Sequence, residues 1–314
     1  VDVCIVGAGP AGAFLGFLLA RKGIKTLLIE RHAELDREFR GEHLHGDVAN
    51  LLKKYRLFDK VKELGILPMK RVEFFHGAKR VMSITPELFG IEHVGIHFPH
   101  QHLLSALIEE ARQTGCFELL MNTTVKELMM EQDRVAGLKA KNKDGEVEVR
   151  SKIVVGADGR HSSVRKLAGI PTKIKKHGYD VLWAKIPAPP DWEPTMRMVL
   201  VDHTQITLFA CTGGFLQIGW QIAEGSFPSL RKQDFRPFID TLIKAAPELK
   251  PYVERHIRDW NDFMCLPVQS CTCETWVKNG LIIMGDAAHT MSPAGGIGVN
   301  VAMKDADVLA PIIW

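Results

Sequence analysis

Gly7-Ala8-Gly9-Pro10-Ala11-Gly12 follows an apolar run, Val1–Val6, and opens a stretch that reads as helix to Lys22. Glycines at this spacing do chemistry through the backbone. Gly7 permits a tight turn, Gly9 lets the main chain approach a pyrophosphate, and Gly12 lets the helix lie close on the strand. Pro10 and Ala11 start that helix, whose unpaired N–H groups and partial positive charge face the phosphates. A second apolar strand, Lys25–Ile29, ends in Glu30, followed by Arg31. A carboxylate there accepts from ribose hydroxyls and disfavours a 2′-phosphate. The adenosine half therefore belongs to FAD or NAD rather than NADP.

Two further glycine turns decide between them. Gly156-Ala157-Asp158-Gly159 follows the buried run Ile153–Val155 and continues as Arg160-His161-Ser162-Ser163-Val164-Arg165. Gly285-Asp286-Ala287-Ala288-His289 follows Leu281–Met284, and Ser292-Pro293-Ala294-Gly295-Gly296-Ile297-Gly298-Val299-Asn300 comes after it. Both segments resemble fingerprints that flavoprotein hydroxylases carry, and an NAD dehydrogenase has no use for the third. The resemblance implies that Asp286 accepts from a ribityl hydroxyl. It also implies that Gly295–Asn300 opens a helix whose N–H groups would point at the flavin N1 and C2 carbonyl, where they stabilise negative charge. The bound cofactor expected from these residues is FAD.

The elements that position these turns alternate strand and helix. Val48–Tyr55 and a segment starting near Pro99 and running to about Thr114 read as helices. Val72–Phe75, Arg80–Ile84, Leu119–Met121, Val125–Met130, Val135–Lys141 and Glu146–Ser151 read as strands, with a hairpin turn at Asn142-Lys-Asp-Gly145. Strand-like runs follow at Val181–Ile186, Met196–Val201, Ile206–Cys211 and Phe215–Ile222. Helices follow near Asp234–Ala245 and Glu248–Ile257, and Ile297–Ile312 is the last helix. The expected fold class is α/β, a Rossmann-like domain with an inserted α+β domain. Residues 1–71, 95–171 and 276–314 form the FAD-binding domain, and 72–94 and 172–275 the substrate domain.

Composition narrows the function classes. The chain has 314 residues, 46% hydrophobic and 25% charged, with a net charge of +3. That charge is too small to argue for nucleic acid or a membrane surface as partner, and neither is expected. The basic run Lys173–Lys176, with Arg165 and Lys166 nearby, reads as a solvated loop; the sharper alternative is a landing site for an anionic cofactor. Six cysteines without a CxxC pair fit a reducing, cytoplasmic compartment, and no run reaches the length of a membrane span. The chain starts inside a strand without a methionine and stops at Pro311-Ile-Ile-Trp314 in mid-helix. A C-terminal portion is therefore expected to be missing. His93, His97, His100 and His102 lack a ligand-like arrangement with carboxylates, so no metal is expected.

Together, the Gly7–Gly12, Asp158–Arg165 and Gly285–Asn300 segments resemble the group A flavin monooxygenases, typified by para-hydroxybenzoate hydroxylase. The resemblance implies an FAD-binding domain of the glutathione-reductase type. It assigns Arg40, in Phe39-Arg40-Gly41-Glu42, to the FAD pyrophosphate and ribityl region. It places a flavin-chain contact at His100 or Gln101, ahead of Leu103 and Leu107, where the family uses glutamine or arginine. It puts the Val125 backbone beside the adenine and Asp158 in the cofactor site. It also implies transient NADPH or NADH, a small aromatic or phenolic substrate, and O₂ chemistry through a flavin C4a-hydroperoxide. His43 and His45 are candidates for positioning a phenol or relaying a proton, with polar loop residues as the alternative. Pro293 borders the oxygen-reacting face, and His289 is assigned to structure. A homodimer is compatible with this reading.

Two other classes stay open. One is a reductase or halogenase of the same fold; the halogenase signature Trp-x-Trp-x-Ile-Pro is absent, the nearest text being Gly219-Trp220-Gln221-Ile222. The other is a non-enzymatic FAD-binding module.

Overall fold

The structure, a computed structural model, describes residues 1–35 and 42–314. Its backbone divides into two compact units. One comprises Val1–Leu64, Pro99–Lys175 and Gln269–Trp314, and the other Gly65–Phe98 and Lys176–Val268.

The first unit is built on a six-stranded sheet in the order Val277–Lys278, Leu281–Ile283, Ile153–Gly156, Val3–Val6, Thr26–Ile29, Phe117–Leu120. Every neighbouring pair is parallel except the short antiparallel edge strand Val277–Lys278. Parallel strands are covered on both faces and so read as unbroken apolar runs, as Val-Cys-Ile-Val and Thr-Leu-Leu-Ile do here. Val3–Val6 marks the switch in direction. From it the chain builds outward to Thr26–Ile29 and Phe117–Leu120 on one side, then returns to add Ile153–Gly156 and Leu281–Ile283 on the other. Ligands of open α/β sheets bind outside the carboxyl ends of the strands at such a point.

One face of this sheet carries the antiparallel ribbon Thr124–Glu131, Arg134–Asn142 and Gly145–Arg150. Val125, Leu138, Ala140 and Val149 of the ribbon share a core with Leu27, Val154 and Ile283 of the sheet. The helix Pro10–Ala20 is buried at every position from Ala11 to Ala20. A helix apolar all round belongs in the middle of a fold. It ends two residues before the expected Lys22, as the chain turns out of the helix through Gly23, whose φ is +80°.

The second unit is a twisted sheet, entered through the strand Thr172–Pro187 and left through Met264–Cys273. Phe215–Ala223 pairs antiparallel with both Thr172–Pro187 and Thr204–Cys211; Thr195–Val201 continues the sheet and runs parallel to Arg71–His76. Helices Arg236–Ala245 and Lys250–His256 cover one face, where Leu182, Ile206, Leu208 and Ile218 meet Ile239, Leu242 and Val253.

Two expectations change here. Lys173–Lys176 is not a loop but the exposed start of a sixteen-residue strand, with Lys173 paired to Glu274 at 2.8 Å and Lys176 to Glu224 at 2.6 Å. These lysines are held by carboxylates of their own neighbourhood. The ten-residue strand Met264–Cys273 was hidden by Pro267 and its run of small polar residues. Among the described residues, no helix is long and apolar enough to cross a membrane, and no group of three His, Cys, Asp or Glu is placed to hold a metal.

Candidate cofactor-binding site

The three glycine turns, distant in sequence, follow neighbouring parallel strands and come out at one edge. Gly7 follows Val6, Gly156–Gly159 ends the strand beside it, and Gly285 follows the next strand along. Main-chain bonds continue the ladder into the turns: Gly7 N–H donates to Ile29 O at 2.7 Å, Ala157 N–H to Val6 O at 2.8 Å, and Met284 N–H to Gly156 O at 2.9 Å.

The glycines of the first turn do different work. Gly7 has φ +105°, and a Cβ there would lie 2.4 Å from Ala157 O. A Cβ on Gly12 would lie 2.0 Å from Gly7 O. Both are packing glycines with no room for a side chain. At Gly9 a Cβ would meet nothing within 4 Å. Gly9 caps the helix Pro10–Ala20 without any side-chain cap bond, so the amides of its first turn face that open space. An anion-binding backbone cradle beside an open approach fits a dinucleotide pyrophosphate.

Glu30 is buried to 2% exposure and braces this turn from the adjacent strand. Its Oε2 accepts from Ala8 N–H at 2.8 Å, and its Oε1 accepts from His32 N–H at 3.0 Å and meets His32 Nδ1 at 2.6 Å. Arg31 is exposed.

In the second turn, Ser162 caps the short helix Ser163–Leu167, accepting from Arg165 N–H at 2.9 Å, and Asp158 braces its first turn. Its carboxylate accepts from Ser163 N–H at 2.6 Å, Val164 N–H at 3.1 Å and the Ser162 hydroxyl. Arg165 departs from the sequence reading, which grouped it with solvated lysines. It is buried, and its guanidinium donates to Ala287 O at 2.7 Å and Arg160 O at 3.0 Å. One buried cation thus ties the second turn to the third.

The third turn is held by a residue that sequence reasoning missed. Asp305, on the helix Gly298–Ile313, accepts from Gly285 N–H at 2.9 Å and from His289 Nε2 at 2.6 Å. That bond to Asp305 raises the His289 pKa above its ordinary value, against the opposing effect of burial. Asp286 is half-buried beside it, and its carbonyl accepts from Thr290 Oγ1 at 3.1 Å.

The loop before that helix bends through Gly295 and Gly296, with φ of 77° and 62°. Asn300 is buried, and its amide locks the loop to the strand His43–Leu44. Its Oδ1 accepts from His45 N–H at 2.9 Å; its Nδ2 donates to Gly296 O at 3.0 Å and His43 O at 3.4 Å. His45 Nε2 lies 2.6 Å from Gly295 O, and a carbonyl only accepts, so that ring nitrogen carries the proton and donates it. His45 therefore positions the loop. His43 is buried with its ring 5.9 Å from that of His45, and its Cβ sits 3.7 Å from where a Gly296 Cβ would be. Pro293 is half-buried ahead of the loop, and Gly298 and Val299 open the helix, again without a side-chain cap bond.

The other expected contacts lie on the same unit. His100 and Gln101 form the first turn of the helix His100–Gln113, and His100 N–H donates to Glu42 Oε1 at 3.2 Å. Val125 is buried in the ribbon, paired with Ala140. Arg40 lies outside the described residues.

A family model described as FAD binding domain matches residues 1–313. A relative from Streptomyces rimosus, 6-methylpretetramide 4-monooxygenase, is 33% identical over 99% of this chain and 75% of that protein. The chain belongs to the FAD-binding monooxygenase family. A second relative of this flavoprotein, digeranylgeranylglycerophospholipid reductase from Methanosarcina acetivorans, is 30% identical over 98% of this chain and 74% of its own. The solved structure of pqsL from Pseudomonas aeruginosa, a probable FAD-dependent monooxygenase, superposes with a TM-score of 0.85. At 20% identity over 100% of this chain and 85% of that one, the likeness is one of fold. The Gly9 cradle and the two uncapped helix starts suit the group this family carries.

Proposed function

We propose that this flavoprotein uses NAD(P)H and O₂ to hydroxylate a small aromatic or phenolic substrate. The observation that carries the reading is the meeting of all three glycine turns at one carboxyl edge, braced by Glu30, Arg165 and Asp305. The amides of Gly9–Gly12 would hold the pyrophosphate, Glu30 the ribose and Asp286 the ribityl chain. His100 or Gln101 would touch the flavin chain, Asp158 would fix the second turn, and the Val125 backbone would flank the adenine. The amides from Gly298 to Asn300 would lie toward the flavin ring, where a helix start favours accumulating negative charge.

Bound FAD supplies the two-electron relay and the activation of oxygen. The chain's own part is positioning. His45 and Asn300 hold the glycine loop in one shape, and Pro293 stiffens its approach. No second glycine fingerprint is present, which fits a nicotinamide cofactor that binds transiently.

The 30% identical reductase keeps one other reading alive, reduction of a C=C bond on the same scaffold. Purified protein should carry a flavin absorbance, and phenols should stimulate NAD(P)H oxidation with O₂-dependent formation of hydroxylated product. Reduced product under strict anaerobiosis would replace the monooxygenase reading with the reductase one. Protein that never takes up FAD would overturn both.

A further inference from the structure

The sheet of the second unit has two unlike faces. Even-numbered residues of Phe215–Ala223 pack under the helices, and Leu216 and Ile218 are 0% exposed there. The opposite face carries Gln217, Trp183, Phe209, Met196 and Met198. Registers place them in two rows, Gln217 beside Phe209 and Phe209 beside Met196, with Gly219 beside Trp183. Trp183, Phe209 and Met198 are only half-buried. The Trp183 ring lies over Gly219, where a Cβ would come within 2.5 Å of it, so a flat aromatic floor replaces a side chain.

This face is mixed: Lys185 is the other register partner of Gln217, and Thr207 lies beside Gly219. Gln217 is 3% exposed, its Oε1 faces the Cys211 thiol at 3.9 Å, and its buried Nε2 has no hydrogen-bond partner. A buried N–H left without an acceptor destabilises the fold that holds it. A leucine would fill the position without that cost. Gln217 is therefore poorly suited to holding the fold and well suited to meeting an acceptor from outside it.

We propose that Gln217 is the specificity-determining residue of this flavoprotein. Its Nε2–H donates to a carbonyl or phenolic oxygen of a flat, fused-ring substrate lying on the Trp183–Phe209 wall. The inference rests on the monooxygenase reading for the identity of its occupant. The breadth of the wall favours several rings over one: its four strands span about 14 Å at the usual strand spacing. Aromatic and methionine side chains are the surfaces that stack on such rings.

The test is binding, so that it does not depend on turnover. Calorimetry of the FAD-loaded protein compares a dihydroxyanthraquinone with the dihydroxyanthracene that lacks its ring carbonyls. The parent should prefer the quinone by about tenfold, the value of one hydrogen bond to an otherwise unsatisfied amide. Gln217→Leu should erase that preference, leave the anthracene's affinity unchanged, and melt no lower than the parent. A Gln217→Leu protein that melts lower and keeps the preference would make Gln217 structural and overturn the proposal. So would failure of the quinone to bind the parent, or equal losses for both probes. If the quinone binds as expected but no aromatic is ever hydroxylated, the monooxygenase reading fails while the Gln217 contact stands.

Discussion

The two units handle ligand chemistry in opposite ways. On the proposed reading, the working groups of the first unit are backbone amides, and side chains such as Arg165, Asp305 and Asn300 hold that backbone in shape. In the second unit the backbone is an ordinary ladder, and the proposed working groups are side chains on one face of it. A site made of amides tolerates few substitutions, because its geometry is set by residues with no side chain to spare. A site made of strand side chains can be rewritten one position at a time without disturbing the ladder. The same fold can therefore keep one cofactor while changing what it acts on.

Paired substitutions test this contrast. Gly7→Ala is expected to do most damage, since an L residue at φ +105° is strained and its Cβ would lie 2.4 Å from Ala157 O. It should cost about 3 kcal/mol or more, lower Tm by about 10 °C and yield protein without flavin colour. Gly9→Ala has open space around its Cβ and should melt with the parent while retaining less FAD. If the two melt alike, packing and ligand glycines are not separate classes.

Leu208 and Phe209 give the matching test in the second unit, being adjacent on one strand but on opposite faces. Leu208→Ala, at a position 0% exposed, should cost about 2–5 kcal/mol in denaturant unfolding. Phe209→Ala should cost about 1 kcal/mol and show itself mainly as a raised KM for an aromatic substrate. Equal losses of stability would make the wall simply a second core.

A smaller effect separates ligand from scaffold in the cofactor site. Asp286→Ala should weaken FAD binding about tenfold. His45→Ala, which removes only a brace on Gly295, should weaken it less; the reverse order, measured by flavin fluorescence on dilution, would exchange their roles.

The smallest effect is a pH dependence. Because the bond to Asp305 raises the His289 pKa in the fold, protonated His289 stabilises the native state. That contribution is complete below the ordinary histidine pKa of about 6.5 and fades as pH rises through the elevated value. The Tm gap between the parent and His289→Gln should narrow on the alkaline side. A gap that widens with pH would mean that the His289–Asp305 pair does not work as a charged one.

The same contrast explains what the sequence disclosed. Gly7, Gly9 and Gly12 announce themselves because only glycine fits two of those positions and only a bare backbone suits the third. Glu30 was singled out for a ribose from its place at the end of the second strand; its bond to the Ala8 amide was not foreseen. Asp305 was not, because its partners are the Gly285 amide and a histidine already assigned to structure. Asn300 and His45 were singled out, but for the flavin and for proton transfer; their bond to one another spans 255 residues and has no local signature. Arg165 sat among lysines and passed for a surface charge, although its carbonyl partner on Ala287 is 122 residues away. In the second unit, alternation showed which residues share a face. Which face the helices cover depends on packing between distant segments, and that separates Leu208 from Phe209.

Asn300 and Asp305 ride on one helix, Gly298–Ile313, and between them anchor the Gly295 loop, the His43–Leu44 strand and the Gly285 turn. Undocking that helix would release all three anchors together. The loop, the strand and the third turn thus keep or lose their shape as one body, set by the seating of a single sixteen-residue rod.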